Sequence, residues 1–142
     1  MFAGAPYKTQ EWVRSLGQSE YNHSATGLSG NEDCGQMSAW YIFSALGVYP
    51  VDPASAKYVL GAPFFDKITL RLPKAPWYDG DNAGEEKVWE VIAKGASEGK
   101  VYVKSLKIDG QEIEGVEIGH DVLVRGGKWI WEMEEMPQVW GM

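Results

Sequence analysis

Two adjacent carboxylates, Glu32 and Asp33, lie in the glycine-punctuated stretch Gly27-Leu28-Ser29-Gly30-Asn31-Glu32-Asp33-Cys34-Gly35. Carboxylates accept protons, and a neighbouring amide such as Asn31 can orient a water. Directly after them, Gln36 to Leu46 runs almost without charge. Asn31 and Asp33 are both natural N-cap residues and Gly47 is a natural stop, which predicts a helix from about Glu32 to Leu46. Backbone N–H groups at a helix start lack intrahelical partners. The stretch can therefore build a polar pocket on a rigid support. The plain alternative for Asp33 is a capping carboxylate, and for Glu32 simple solvation.

Other residues with chemical potential are few. Cys34 is the only cysteine, with no histidine near it in sequence, and reads as a small buried thiol. His23 stands in the polar segment Glu20 to Gly30, where a solvated loop position is expected. Asn22-His23-Ser24 has the form of a glycosylation acceptor, meaningful only in a eukaryotic secretory setting. Asp79-Gly80-Asp81-Asn82 has neither a glycine nor a closing glutamate at EF-hand spacing and reads as a solvated turn.

The elements that must hold these residues change character along the chain. Trp12, Val13 and Leu16 recur at helical spacing among Thr9, Gln10, Glu11 and Arg14, predicting a helix over 7–18 entered at Pro6 and ended near Gly17. In the second helix, Met37, Trp40, Tyr41 and Ser44 would share one face and Ala39, Ile42, Phe43 and Leu46 another. That predicts burial on nearly all sides, with Trp40 in the core and packing as the role of Gln36 and Ser38. Tyr49-Pro50-Val51-Asp52-Pro53 ends helical character. Beyond it the period is two, predicting strands over 57–61, 66–72, 86–94, 100–108, 111–113 and 128–134. Residues 73–84 read as a loop, Asp109-Gly110 as a hairpin turn, and 121–123 as a strand or one helical turn.

Two helices cannot bury faces this broad against each other. The chain therefore reads as α+β: the end of a larger helical domain over 1–50, then a small antiparallel β-sandwich over 51–142. Met37, Trp40 and Phe43 are expected to leave an apolar surface that needs a partner, either more of the same chain or a second copy.

Composition excludes several classes. The net charge is −7 and there is no basic run, which argues against nucleic-acid and anionic-membrane partners. One cysteine allows no internal disulfide framework. No apolar run is long enough to span a membrane, and the first residues carry neither the charged start nor the apolar middle of a signal peptide. Seven tryptophans and seven tyrosines could line a sugar surface or fill a core, the core being the commoner use.

Three blocks resemble the C-terminal end of the exo-α-mannosidases of glycoside hydrolase family 92. They are Ala3-Gly4-Ala5-Pro6-Tyr7-Lys8-Thr9-Gln10-Glu11-Trp12-Val13-Arg14, Gly30 to Tyr41 continuing through Leu46-Gly47-Val48-Tyr49-Pro50-Val51, and Tyr58-Val59-Leu60-Gly61-Ala62-Pro63-Phe64-Phe65-Asp66-Lys67. The middle block is long and specific, and after Leu72 the similarity is looser. The resemblance implies that residues 1–50 are the last helices of an (α/α)6 barrel. It implies a bacterial enzyme, periplasmic or secreted, that removes terminal α-mannose with inversion in a calcium-dependent reaction, in the manner of an α-1,2-mannosidase, with the linkage itself left open among 1,2, 1,3, 1,4 and 1,6.

Inversion needs one carboxylic acid to protonate the leaving oxygen and one carboxylate to activate water, roughly 6.5–9.5 Å apart. Sequence neighbours at a helix start diverge, so Glu32 and Asp33 are not expected to be that pair. Asp33 matches the family's general-base position. Many members carry a second aspartate two residues earlier, where this chain has Asn31, a helper that cannot take the proton. Glu32 and Gln10 are the expected sugar contacts. The general acid and the metal ligands are implied to lie upstream, so no metal site is expected in this chain and the chain alone is expected to be inactive. The competing readings are a non-catalytic carbohydrate-binding sandwich, with Trp77, Trp89, Trp129 or Trp131 as a platform, and a structural module that closes the barrel.

Overall fold

A computed structural model describes residues 3–73 and 86–141. Helix α1 spans Pro6–Ser19 and α2 spans Gln36–Leu46. The strands are β1 (Val48–Tyr49), β2 (Lys57–Leu60), β3 (Lys67–Leu72), β4 (Lys87–Ile92), β5 (Tyr102–Ile108), β6 (Gln111–Glu112), β7 (Glu117–Gly119) and β8 (Gly127–Glu134). A short helix α3, His120–Val124, resolves the ambiguous 121–123 segment as one helical turn. Trp77, Asp79 to Asn82 and most of the expected 73–84 loop lie outside the described residues.

The strands form two sheets, one ordered β1-β2-β7 and one ordered β3-β4-β8-β5-β6. All pairs are antiparallel except β4 and β8, which run parallel with Val91 beside Trp129. Alternation sets which face each strand buries, but it carries no information on strand direction. The all-antiparallel expectation therefore failed at this pair. Both sheets feed one core: Val48, Leu60 and Ile118 from the first meet Trp89, Val91, Val103, Leu106, Trp129 and Trp131 from the second. The Asp109-Gly110 hairpin has both residues at positive φ, as a two-residue turn matching strand twist requires.

Trp89, Trp129 and Trp131 are at most 2% exposed. Trp129 sits between the other two with tilted rings, at ring separations of 4.9 and 5.7 Å. The Trp131 indole N–H donates to the Gly61 carbonyl at 3.1 Å, tying the large sheet to the end of β2. These three rings are inside the sandwich, so none of them is a sugar platform. Removing one would cost about 3–5 kcal/mol, a large share of a small domain's stability.

The helices differ from expectation in which face they bury. On α1 the buried residues are Pro6, Gln10, Arg14 and Gly17, while Trp12 is 66% exposed. Gly17 does not end the helix. A Cβ there would meet the Phe64 ring at 2.4 Å, so the residue is a contact notch. The Arg14 guanidinium donates to the carbonyls of Pro63, Phe64 and Ala96 and lies over the Phe64 ring, 4.8 Å from its centre. Burial pulls its pKa below the usual value. Helix α2 is fully buried only at Ser44, Ala45 and Leu46. Phe43 packs against Tyr49 and Tyr58, Trp40 stacks on Tyr21, and Ile42 stays 55% exposed. The chain's own aromatics thus cover much of a surface expected to need a partner.

Candidate active site

The turn ahead of α2 is built from three consecutive left-handed residues: Asp33 (φ 43), Cys34 (φ 63) and Gly35 (φ 93). Such a conformation is unfavourable for residues with a Cβ and persists only where the surroundings hold it. Here Glu32 holds it. The Glu32 carbonyl accepts from the N–H groups of Gly35, Gln36 and Met37 at 3.2, 2.9 and 3.4 Å. Its carboxylate accepts from the Ser38 N–H at 3.0 Å and the Ser38 hydroxyl at 2.8 Å. Glu32 therefore caps the helix from outside it.

This corrects three expectations. The helix begins at Gln36 rather than Glu32, and its N-cap is Gly35, not Asn31 or Asp33. Cys34 is exposed, because the left-handed turn swings it out of the core. With the capping task taken by Glu32, Asp33 is displayed at the surface beside exposed Asn31. Ser38 has a specific role that spacing alone did not suggest, since its partner lies six residues back, outside helical periodicity.

An open depression lined by Tyr21, Asn22, His23, Ser38, Tyr41 and Ile42 lies beside the Glu32 partner Ser38, and neither Asn31, Glu32 nor Asp33 lines it. Tyr21 bridges to Leu28 across a tight loop closed by Asn22 N–H to Gly27 O at 3.0 Å. A Cβ on Gly27 would lie 2.0 Å from the Asn22 carbonyl oxygen, so only glycine closes this loop. Burial, with the Glu32 carboxylate nearby, pushes the Tyr21 phenol above its ordinary value. His23 is exposed.

Gln10 is placed differently. It is 3% exposed, and its side-chain oxygen accepts the Val103 N–H at 3.1 Å. This joins α1 to β5 and turns Gln10 inward. Among the described residues, no three His, Cys, Asp or Glu side chains converge to hold a metal ion.

The family model of the glycosyl hydrolase family 92 catalytic domain matches residues 1–135. The chain belongs to glycoside hydrolase family 92. A family 92 α-mannosidase from Bacteroides thetaiotaomicron, solved with mannoimidazole, superposes with a TM-score of 0.81 at 35% identity over 94% of this chain and 16% of its own. A family 92 inverting mannosidase from the same organism gives 0.78 at 36% identity, over 94% of this chain and 17% of its own. An uncharacterised secreted glycosidase from Arthroderma benhamiae is 24% identical over 99% of this chain and 17% of its length. The chain thus spans less than a fifth of these relatives. Among the described residues, no helix is long and apolar enough to cross a membrane.

Proposed function

We propose that this chain is the C-terminal segment of a secreted or periplasmic inverting exo-α-mannosidase, and that Asp33 is its general base. The observation that carries the reading is the turn: Glu32 holds three left-handed residues in place and leaves the Asp33 carboxylate free of the capping task. Asp33 takes the proton from a water as that water attacks the anomeric carbon. Asn31 orients the water through its amide. Glu32 fixes the turn through Ser38 and stands at the sugar side of it. Gln10 serves as a tie between helix and sheet. The general acid, which protonates the leaving oxygen, and the calcium ligands come from the remainder of the enzyme.

The relatives support the substrate class, since one is a mannosidase solved with mannoimidazole and another is an inverting mannosidase. In this reading residues 1–50 close a helical barrel and 51–142 form the sandwich behind it, and exposed apolar helix residues such as Trp12 and Ile42 meet the rest of the enzyme or a second copy. The isolated chain then turns over no aryl α-mannoside. The enzyme containing it releases β-mannose as the first-formed anomer, read by proton NMR before mutarotation. First-formed α-mannose, or turnover by the 142-residue chain alone, would contradict the reading.

A further inference from the structure

The solvent face of the five-stranded sheet has the opposite charge balance from the chain as a whole. Lys67, Arg71, Lys94, Lys100, Lys104, Lys107 and Lys128 share it with Glu86, Glu90, Glu112, Glu132 and Glu134, in a chain of net charge −7. The ion pairs of this face use Lys67, with Glu90 at 2.6 Å, Lys104, with Glu132 at 2.7 Å, and Arg71, with Glu86 at 2.8 Å. Lys94, Lys100, Lys107 and Lys128 form no salt bridge among the described residues. These four line one open groove with Ile92, Ser105 and Ile130, and the carboxylates of Glu132 and Glu134, both beside Lys104, line it too.

Strand register organises the groove. Lys67 pairs with Ile92, Ile92 with Ile130, Ile130 with Lys107 and Lys107 with Glu112, so one row crosses five strands as lysine, isoleucine, isoleucine, lysine, glutamate. At the usual strand spacing the part from Lys67 to Lys107 spans about 14 Å, the reach of a few sugar rings. Lys100 is held at one end, its side chain lying across Gly95, where a Cβ would approach it to 2.6 Å.

We propose that this groove binds a polyanionic glycan, its acidic groups meeting the four lysines and the apolar faces of its sugars lying on Ile92 and Ile130. Lysine is a mobile point charge that tolerates repeated anions without fixed geometry. A protein interface of this size would want aromatic or arginine anchors, and the groove's floor supplies isoleucine. The site is independent of the Asp33 turn and does not rest on the mannosidase reading.

The test is titration of the 142-residue chain with polygalacturonate, dextran sulfate, uncharged dextran and polyglutamate. Binding of one or both acidic glycans is expected, with none to dextran and weaker or no binding to polyglutamate. Polygalacturonate against dextran sulfate tells carboxylate from sulfate recognition. The Lys107→Ala/Lys128→Ala variant should bind at least tenfold more weakly, and raising salt from about 50 to about 500 mM should abolish the difference between variant and parent. A Lys8→Ala change on exposed α1 should leave binding intact. Equal affinity of the double variant, binding to dextran, or preference for polyglutamate would overturn the proposal.

Discussion

Arg14 shows how a single residue can be misread by type and recovered by geometry. Its charge suggested a solvent-facing position, yet it is 6% exposed and spends its donors on three carbonyls from two segments far along the chain. The four buried residues of α1 recur at Pro6, Gln10, Arg14 and Gly17, which is helical spacing. The stripe was present in the sequence, but polar and small types hid it from a search for apolar periodicity. An Arg14→Met change keeps the stem and removes the donors, leaving three carbonyls unpaired. It should destabilise the chain by about 3 kcal/mol, read by urea unfolding. A loss below 1 kcal/mol would mean that the carbonyls find water instead. Glu32 is the second such residue. Glu32→Ala removes both hydrogen bonds to Ser38 and should cost about 1 kcal/mol, the usual worth of a helix cap.

At the scale of elements, the left-handed turn and the Asp66 tie make separable predictions. Gly35→Ala forces a Cβ into φ 93 and should cost about 1–2 kcal/mol, whereas Cys34→Gly should stabilise the turn. Opposite signs at adjacent positions, measured by thermal unfolding, would identify the backbone conformation as the cause. Asp66 stands just before β3 and accepts from the Ser97 hydroxyl at 2.6 Å and the Ser97 N–H at 3.2 Å. These bonds hold its pKa below the ordinary 3.8. A depressed carboxylate stabilises the fold above its unfolded pKa, and that contribution is lost as pH falls through the folded value. Asp66→Asn should therefore be less stable than the parent at pH 7, with the gap closing below about pH 4. A gap that stays constant with pH would rule out the ionised carboxylate as its source.

At the scale of the whole molecule, the division between what was legible and what was not follows the range of the interaction. The positions of β2 to β6 and β8, the buried faces of β4 and β8 and the Asp109-Gly110 hairpin were legible, because a two-residue period and turn chemistry are local, whereas β1 and β7, two and three residues long, are too short to show a period. The parallel β4–β8 pair was not, because strand direction depends on a crossover of some thirty residues. At the site, Asp33 and Asn31 were singled out by resemblance, and their proposed roles rest on it. The start of α2, the exposure of Cys34 and the brace through Ser38 were missed, because three left-handed residues in a row contradict intrinsic preference and leave no periodic trace. The role proposed for this turn is to present a carboxylate which activates water for an enzyme whose acid lies elsewhere. The most direct measurement is turnover and mannoside binding by the Asp33→Asn enzyme. Loss of turnover by at least a thousandfold with mannoside affinity retained is the predicted result, in line with removal of a group essential to the reaction. Turnover within tenfold of the parent would contradict the claim.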